Sequence, residues 1–138
     1  MAAVEATRNP HRLPEAIRIT DAKTEAGRAR GRDIGFPTIN VSISPLRGKI
    51  PHGIYACRIS FGGKSYPGAM HYGDRPVFMD SETLEVHVID EVITATPKTV
   101  DIEVVGFLRG VENFPDIRSL QDAIRRDVEA ARGMLALA

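Results

Sequence analysis

Between residues 39 and 108 apolar side chains recur at every second position in short runs, with no helical run between them, and this period most limits what the chain can become. In 54–61, Tyr55, Cys57, Ile59 and Phe61 share one parity and Arg58 and Ser60 the other. Gly62-Gly63 then supplies the positive backbone angles of a tight hairpin into a strand near 64–70. Leu84, Val86 and Val88 alternate with Glu85 and His87, so the two polar residues emerge on the face opposite the aliphatic one. Val100, Ile102, Val104 and Leu108 repeat the pattern, with Gly106 as a bend or bulge. Ile39, Val41 and Ile43 form a strand that Pro45 ends or demotes to an edge, and 15–23 reads as the first strand. Glycine-punctuated loops fill 27–37 and 73–81. The period changes only at the end: Leu120, Ile124, Val128, Ala131 and Leu135 fall three or four apart, an amphipathic helix with Ser119 and Asp122 as a weakened capping box. Up to six short strands followed by one helix predict an antiparallel barrel or rolled sheet covered on one side, because parallel strands would require crossover helices.

A chain of 138 residues makes one domain with a sizeable core. Residues 1–14 lack a period and read as a tail or linker remnant, leaving 15–138 as the domain. Lys plus Arg and Asp plus Glu are 18 each, so no net field favours nucleic acid or an anionic membrane. A lone cysteine, Cys57, lies in an apolar run and fits a buried side chain in a reducing compartment. With no 18-residue apolar stretch and no hydrophobic leader, a cytoplasmic location is expected.

The chemistry concentrates in three places. Gly27, Arg28, Arg30, Gly31, Arg32 and Gly35 set flexible backbone among arginines, which suits either a phosphate cradle or a solvated loop. Thr38 and Asn40, two apart at a strand start, offer a hydroxyl and an amide oxygen to a hard cation, or cap a turn. Glu85 is the best placed carboxylate for base chemistry, a solvated strand glutamate being the alternative; His87, of the same parity, orients it, touches substrate or is structural. His11, His52, His71 and His87 have no zinc-ligand spacing.

The segment Gly27-x-x-Arg30-Gly31-Arg32-x-Ile34-Gly35-Phe36-Pro37-Thr38-x-Asn40 closely resembles the signature of riboflavin kinase, including the kinase half of bacterial bifunctional FAD synthetases. The likeness continues through Pro51-x-Gly53-Ile54-Tyr55-Ala56, Gly73-x-Arg75-Pro76-x-Phe78, Leu84-Glu85-Val86-His87-x-Ile89-Asp90 and Arg109 to Arg132, covering about residues 15 to 132. It departs where His71 replaces an asparagine, Val77 a threonine, Glu91 an aromatic, Ala95-Thr96-Pro97 a Leu-Tyr-Gly and Val111 a glutamate.

The resemblance implies a six-stranded antiparallel barrel with a C-terminal helix, and transfer of the ATP γ-phosphoryl group to the terminal ribityl hydroxyl of riboflavin, giving FMN and ADP. It implies Gly27, Arg30, Gly31, Arg32, Gly35 and Pro37 at the nucleotide phosphates, Arg109 and Phe114 as further binding residues, Thr38 and Asn40 at magnesium, and Glu85 as general base with Asn40 beside it. The expected partners are riboflavin and a nucleotide, for a monomer that binds neither nucleic acid nor membrane, with a separate FMN adenylyltransferase supplying any FAD. A noncatalytic flavin or nucleotide binder, or a kinase of altered substrate, is the alternative that the departures raise.

Overall fold

The computed structural model describes residues 9–25, 35–75 and 80–136, and for residues 74, 75, 80 and 81 the backbone alone. Among the described residues six strands, β1 (His11–Glu25), β2 (Ile39–Val41), β3 (Gly53–Phe61), β4 (Lys64–Arg75), β5 (Asp80–Val88) and β6 (Thr99–Arg109), precede one helix, α1 (Ile117–Ala136). Every pairing is antiparallel, in the cyclic order β1-β2-β5-β4-β3-β6. The six-stranded antiparallel barrel expected from the sequence needs correction at its closure. The strands form one curled six-stranded sheet whose edges meet at a thin seam, where only Thr24–Val41 and Glu25–Asn40 pair. The seam is thin because β2 stops at Val41, short of Ile43: Ser42 N–H still donates to the Lys23 carbonyl at 2.8 Å, but then the Leu46 and Arg47 N–H groups turn back onto the Ile43 carbonyl around Pro45.

Strand limits differ from the sequence reading in two other places. β1 begins at His11, four residues inside the stretch read as tail, and β4 and β5 extend into the loop expected at 73–81. The Gly62-Gly63 turn has φ of 60° and 79°, as a two-residue hairpin requires.

Inside the curl, Tyr55, Cys57, Ile59, Met70, Tyr72, Leu84, Val86, Ile102 and Val104 form the main core. Outside it, α1 buries Val128, Ala131 and Leu135 against Ile54, Ala56, Val105 and Leu108. Each such large aliphatic side chain contributes about 1.5–3 kcal/mol when fully buried. Leu108 was expected to share the face of Val100, Ile102 and Val104. Instead the β3–β6 register slips by one between Ala56 and Cys57 and again between Ile54 and Tyr55, so Val105 and Leu108 are extra residues that turn the later part of β6 towards the helix. Gly106 adjoins the first slip for a packing reason: a Cβ there would run into Met134 Sδ and lie 2.9 Å from the His11 carbonyl oxygen.

The helix is tied at both ends by groups outside its own turns. Its N-cap is Asp116, not the Ser119–Asp122 pair expected: Asp116 Oδ1 accepts the Ser119 N–H at 2.7 Å. That bond holds the Asp116 carboxyl below the usual carboxylate range. Its last turn contains no basic residue, yet Arg12 from β1 donates to the Met134 carbonyl at 2.6 Å and Arg58 from β3 to the Leu135 carbonyl at 3.0 Å. Strand guanidinium groups thus meet the negative end of the helix dipole.

Candidate functional site

The strand register lines up one row of residues across the outer face: Asn40 opposite Glu85, Glu85 opposite His71, His71 opposite Ile54, and Ile54 opposite Arg109. Strands about 4.8 Å apart place the Glu85 and Arg109 backbones about 14 Å apart along that row. The row therefore has two ends with different surroundings.

At one end, Glu85 is 8 % exposed although its neighbours Leu84 and Val86 take the inner face. A carboxylate so buried needs donors, and both its oxygens have one. Thr38 Oγ1 donates to Oε1 at 3.1 Å, and Thr83 Oγ1 donates to Oε2 at 3.0 Å. Thr38 stands immediately before β2, on a segment fixed from β5: His87 Nδ1 is 2.8 Å from the Pro37 carbonyl oxygen, and the His87 ring meets Phe36 edge-on at 5.4 Å. Arg125 of α1 also lies over the Phe36 ring, 5.9 Å from its centre. Just beyond β5, Asp90 takes a left-handed φ of 63° and pairs with Arg132 of the helix, a hydrogen bond that holds its carboxyl below the usual range.

At the other end, Arg109 forms a buried two-pronged ion pair with Asp127 of α1, Nε to Oδ1 at 2.8 Å and Nη2 to Oδ2 at 2.7 Å, with its guanidinium 5.4 Å from the Phe114 ring centre. Arg109, expected among the binding residues, here links the helix to the sheet through Asp127, and Phe114, also expected there, lies beside its guanidinium.

The structure thus brings together Thr38, Asn40 and Glu85, with Pro37 held by His87, while Gly35 sits just upstream with φ of 93°. Gly27, Arg30, Gly31 and Arg32 lie outside the described residues. Sequence reasoning missed Thr83. Its signal was parity, since a residue two before Glu85 on a strand shares its face. A hydroxyl, an amide and one carboxylate are hard oxygen donors, and among the described residues no group of three or more His, Cys, Asp or Glu could hold a metal ion. That donor set suits a magnesium ion taking most of its ligands from phosphate and water. No helix among the described residues is long and apolar enough to cross a membrane.

A family model described as Flavokinase: Riboflavin kinase matches residues 15–135. The chain is 33% identical over 113 residues to a bifunctional riboflavin kinase/FMN adenylyltransferase of Pseudomonas fluorescens, covering 80% of this chain and 36% of that protein. It is 30% identical over 109 residues to the protein of the same description from Bacillus subtilis (strain 168), covering 76% and 34%. It therefore spans roughly a third of the length of these curated relatives. Among solved structures, one described as a macrolide-efflux protein from Streptococcus pneumoniae superposes with a TM-score of 0.67 at 24% identity, over 85% of this chain and 38% of that one, a likeness of fold alone.

Proposed function

Because the chain belongs to the flavokinase (riboflavin kinase) family, we propose that it transfers the ATP γ-phosphoryl group to the terminal ribityl hydroxyl of riboflavin, with Glu85 as general base. The observation that carries this reading is the hydrogen bond from Thr38 to Glu85 Oε1 beside Asn40, the strand partner of Glu85. It sets a base next to two neutral oxygen donors, which is what in-line transfer to an alcohol needs.

A primary alcohol is a poor nucleophile, and Glu85 accepts its proton as the oxygen attacks phosphorus and ADP departs. Thr38 spends its one proton on Glu85, which leaves the oxygen lone pairs for a cation, and Asn40 adds its amide oxygen. Bound magnesium would offset negative charge on the transferring phosphoryl group. His87 holds the Pro37 carbonyl and so fixes where Thr38 stands. Gly27, Arg30, Gly31, Arg32 and Gly35 would line the nucleotide phosphates, on the strength of the family signature.

Glu85→Gln keeps the shape of the side chain and removes the base. Single-turnover transfer with saturating riboflavin and magnesium-ATP should fall about 10²- to 10⁴-fold, whereas Glu91→Gln, at an exposed position beyond β5, should leave it near wild type. Near wild-type transfer by Glu85→Gln would remove Glu85 from the role. Tight flavin binding by the wild-type chain with no FMN formed would favour the noncatalytic alternative.

A further inference from the structure

Thr83 has one hydroxyl proton and, among the described residues, three polar neighbours: Glu85 Oε2 at 3.0 Å, the Gly73 carbonyl oxygen at 3.4 Å and His71 Nδ1 at 3.4 Å. The carboxylate is both the nearest acceptor and the charged one, so it takes the proton. In the tautomer that carries its proton on Nδ1, His71 would donate into the Thr83 lone pairs and turn the hydroxyl towards Glu85. A glutamate has three side-chain torsions, and a strand fixes none of them beyond the first. Two hydroxyls from opposite sides, Thr38 on Oε1 and Thr83 on Oε2, do fix them. A carboxylate oxygen has more than one lone pair, so accepting a hydroxyl proton does not by itself consume it as a base.

We propose that Thr83 is the positioning residue of the catalytic carboxylate, holding Glu85 Oε2 so that Oε1 faces Thr38 and the incoming hydroxyl. His71 backs this contact from β4 as the strand partner of Glu85. The assignment rests on the reading of Glu85 as the base, and it names the group that keeps that base aimed.

Thr83→Val is nearly isosteric and keeps the β-branch that suits a strand, while Thr83→Ser keeps the hydroxyl and loses the methyl group. In steady-state assays at fixed pH, Thr83→Val should lower kcat about tenfold, the loss expected when one hydrogen bond to a charged group disappears. KM for riboflavin and for ATP should stay within about twofold, and Thr83→Ser should recover most of the turnover. Independently of activity, the Glu85 carboxyl ¹³C resonance, assigned by its disappearance in Glu85→Gln, should move in Thr83→Val and return in Thr83→Ser. An unmoved resonance in Thr83→Val, or equal damage from Val and Ser, overturns the proposal. Failure of the underlying reading looks different: Glu85→Gln would then retain turnover whatever Thr83→Val does to the resonance.

Discussion

Replacing Asp127 by alanine removes the two carboxylate oxygens that pair with the Arg109 guanidinium at 2.8 and 2.7 Å and leaves a cation that is 2 % exposed inside the helix–sheet interface. Two remaining contacts soften the loss, the Gly110 carbonyl at 3.1 Å and the Glu112 carboxylate at 3.8 Å. Breaking a buried ion pair from one side costs about 3–5 kcal/mol, and these contacts put the cost near the lower end. For a domain whose whole stability is about 5–15 kcal/mol, that is a large share, and a melting temperature lower by roughly 10 °C should result. Urea denaturation followed by far-ultraviolet circular dichroism measures it as a lower midpoint with an unchanged slope. The paired change Arg109→Met with Asp127→Leu supplies the control, because removing both charges together leaves nothing buried and unpaired and should restore most of the loss. A cost for Asp127→Ala below about 1 kcal/mol, or a double variant as unstable as the single one, would refute the account of Arg109 as a structural anchor.

Gly106→Ala should destabilise by about 1–3 kcal/mol, the usual cost of overpacking, because its Cβ would press on Met134 Sδ and the His11 backbone; Met134→Ala in the same chain should recover part of it in the same urea assay. Asp116 and Asp90 carry carboxyls held below the usual range by Ser119 and Arg132 respectively. Their contribution is therefore complete above the unfolded-state carboxylate range and lost as pH falls through the depressed folded-state value. Protection of the Ser119 amide from exchange, taken relative to its intrinsic rate at each pH, should fall over that acidic window, and Asp116→Asn should remove most of that pH dependence. Burial pushes the Cys57 thiol up to about 12, so iodoacetamide at pH 8 should label it only at the rate of unfolding; rapid labelling of the native chain would contradict the core position.

Residue types and their spacing were enough to locate the hairpin at Gly62-Gly63, the strand that presents Glu85 away from Leu84 and Val86, and the helical stripe from Leu120 to Leu135. Those features depend on neighbours in sequence, and a local period or a glycine pair encodes them directly. The pairing of Thr38 with Glu85 followed only in outline, since parity tells which face a side chain takes and not what stands opposite. Register decided that, together with the one-residue slips at Val105 and Leu108 that bring Arg109 to the helix. Tertiary packing also shortened β2, moved the helix cap to Asp116, and turned Glu85 from a strand carboxylate into a buried one held by Thr83. All of these rest on groups brought together from distant parts of the chain or on the space left between them, for which an alternating sequence carries no mark.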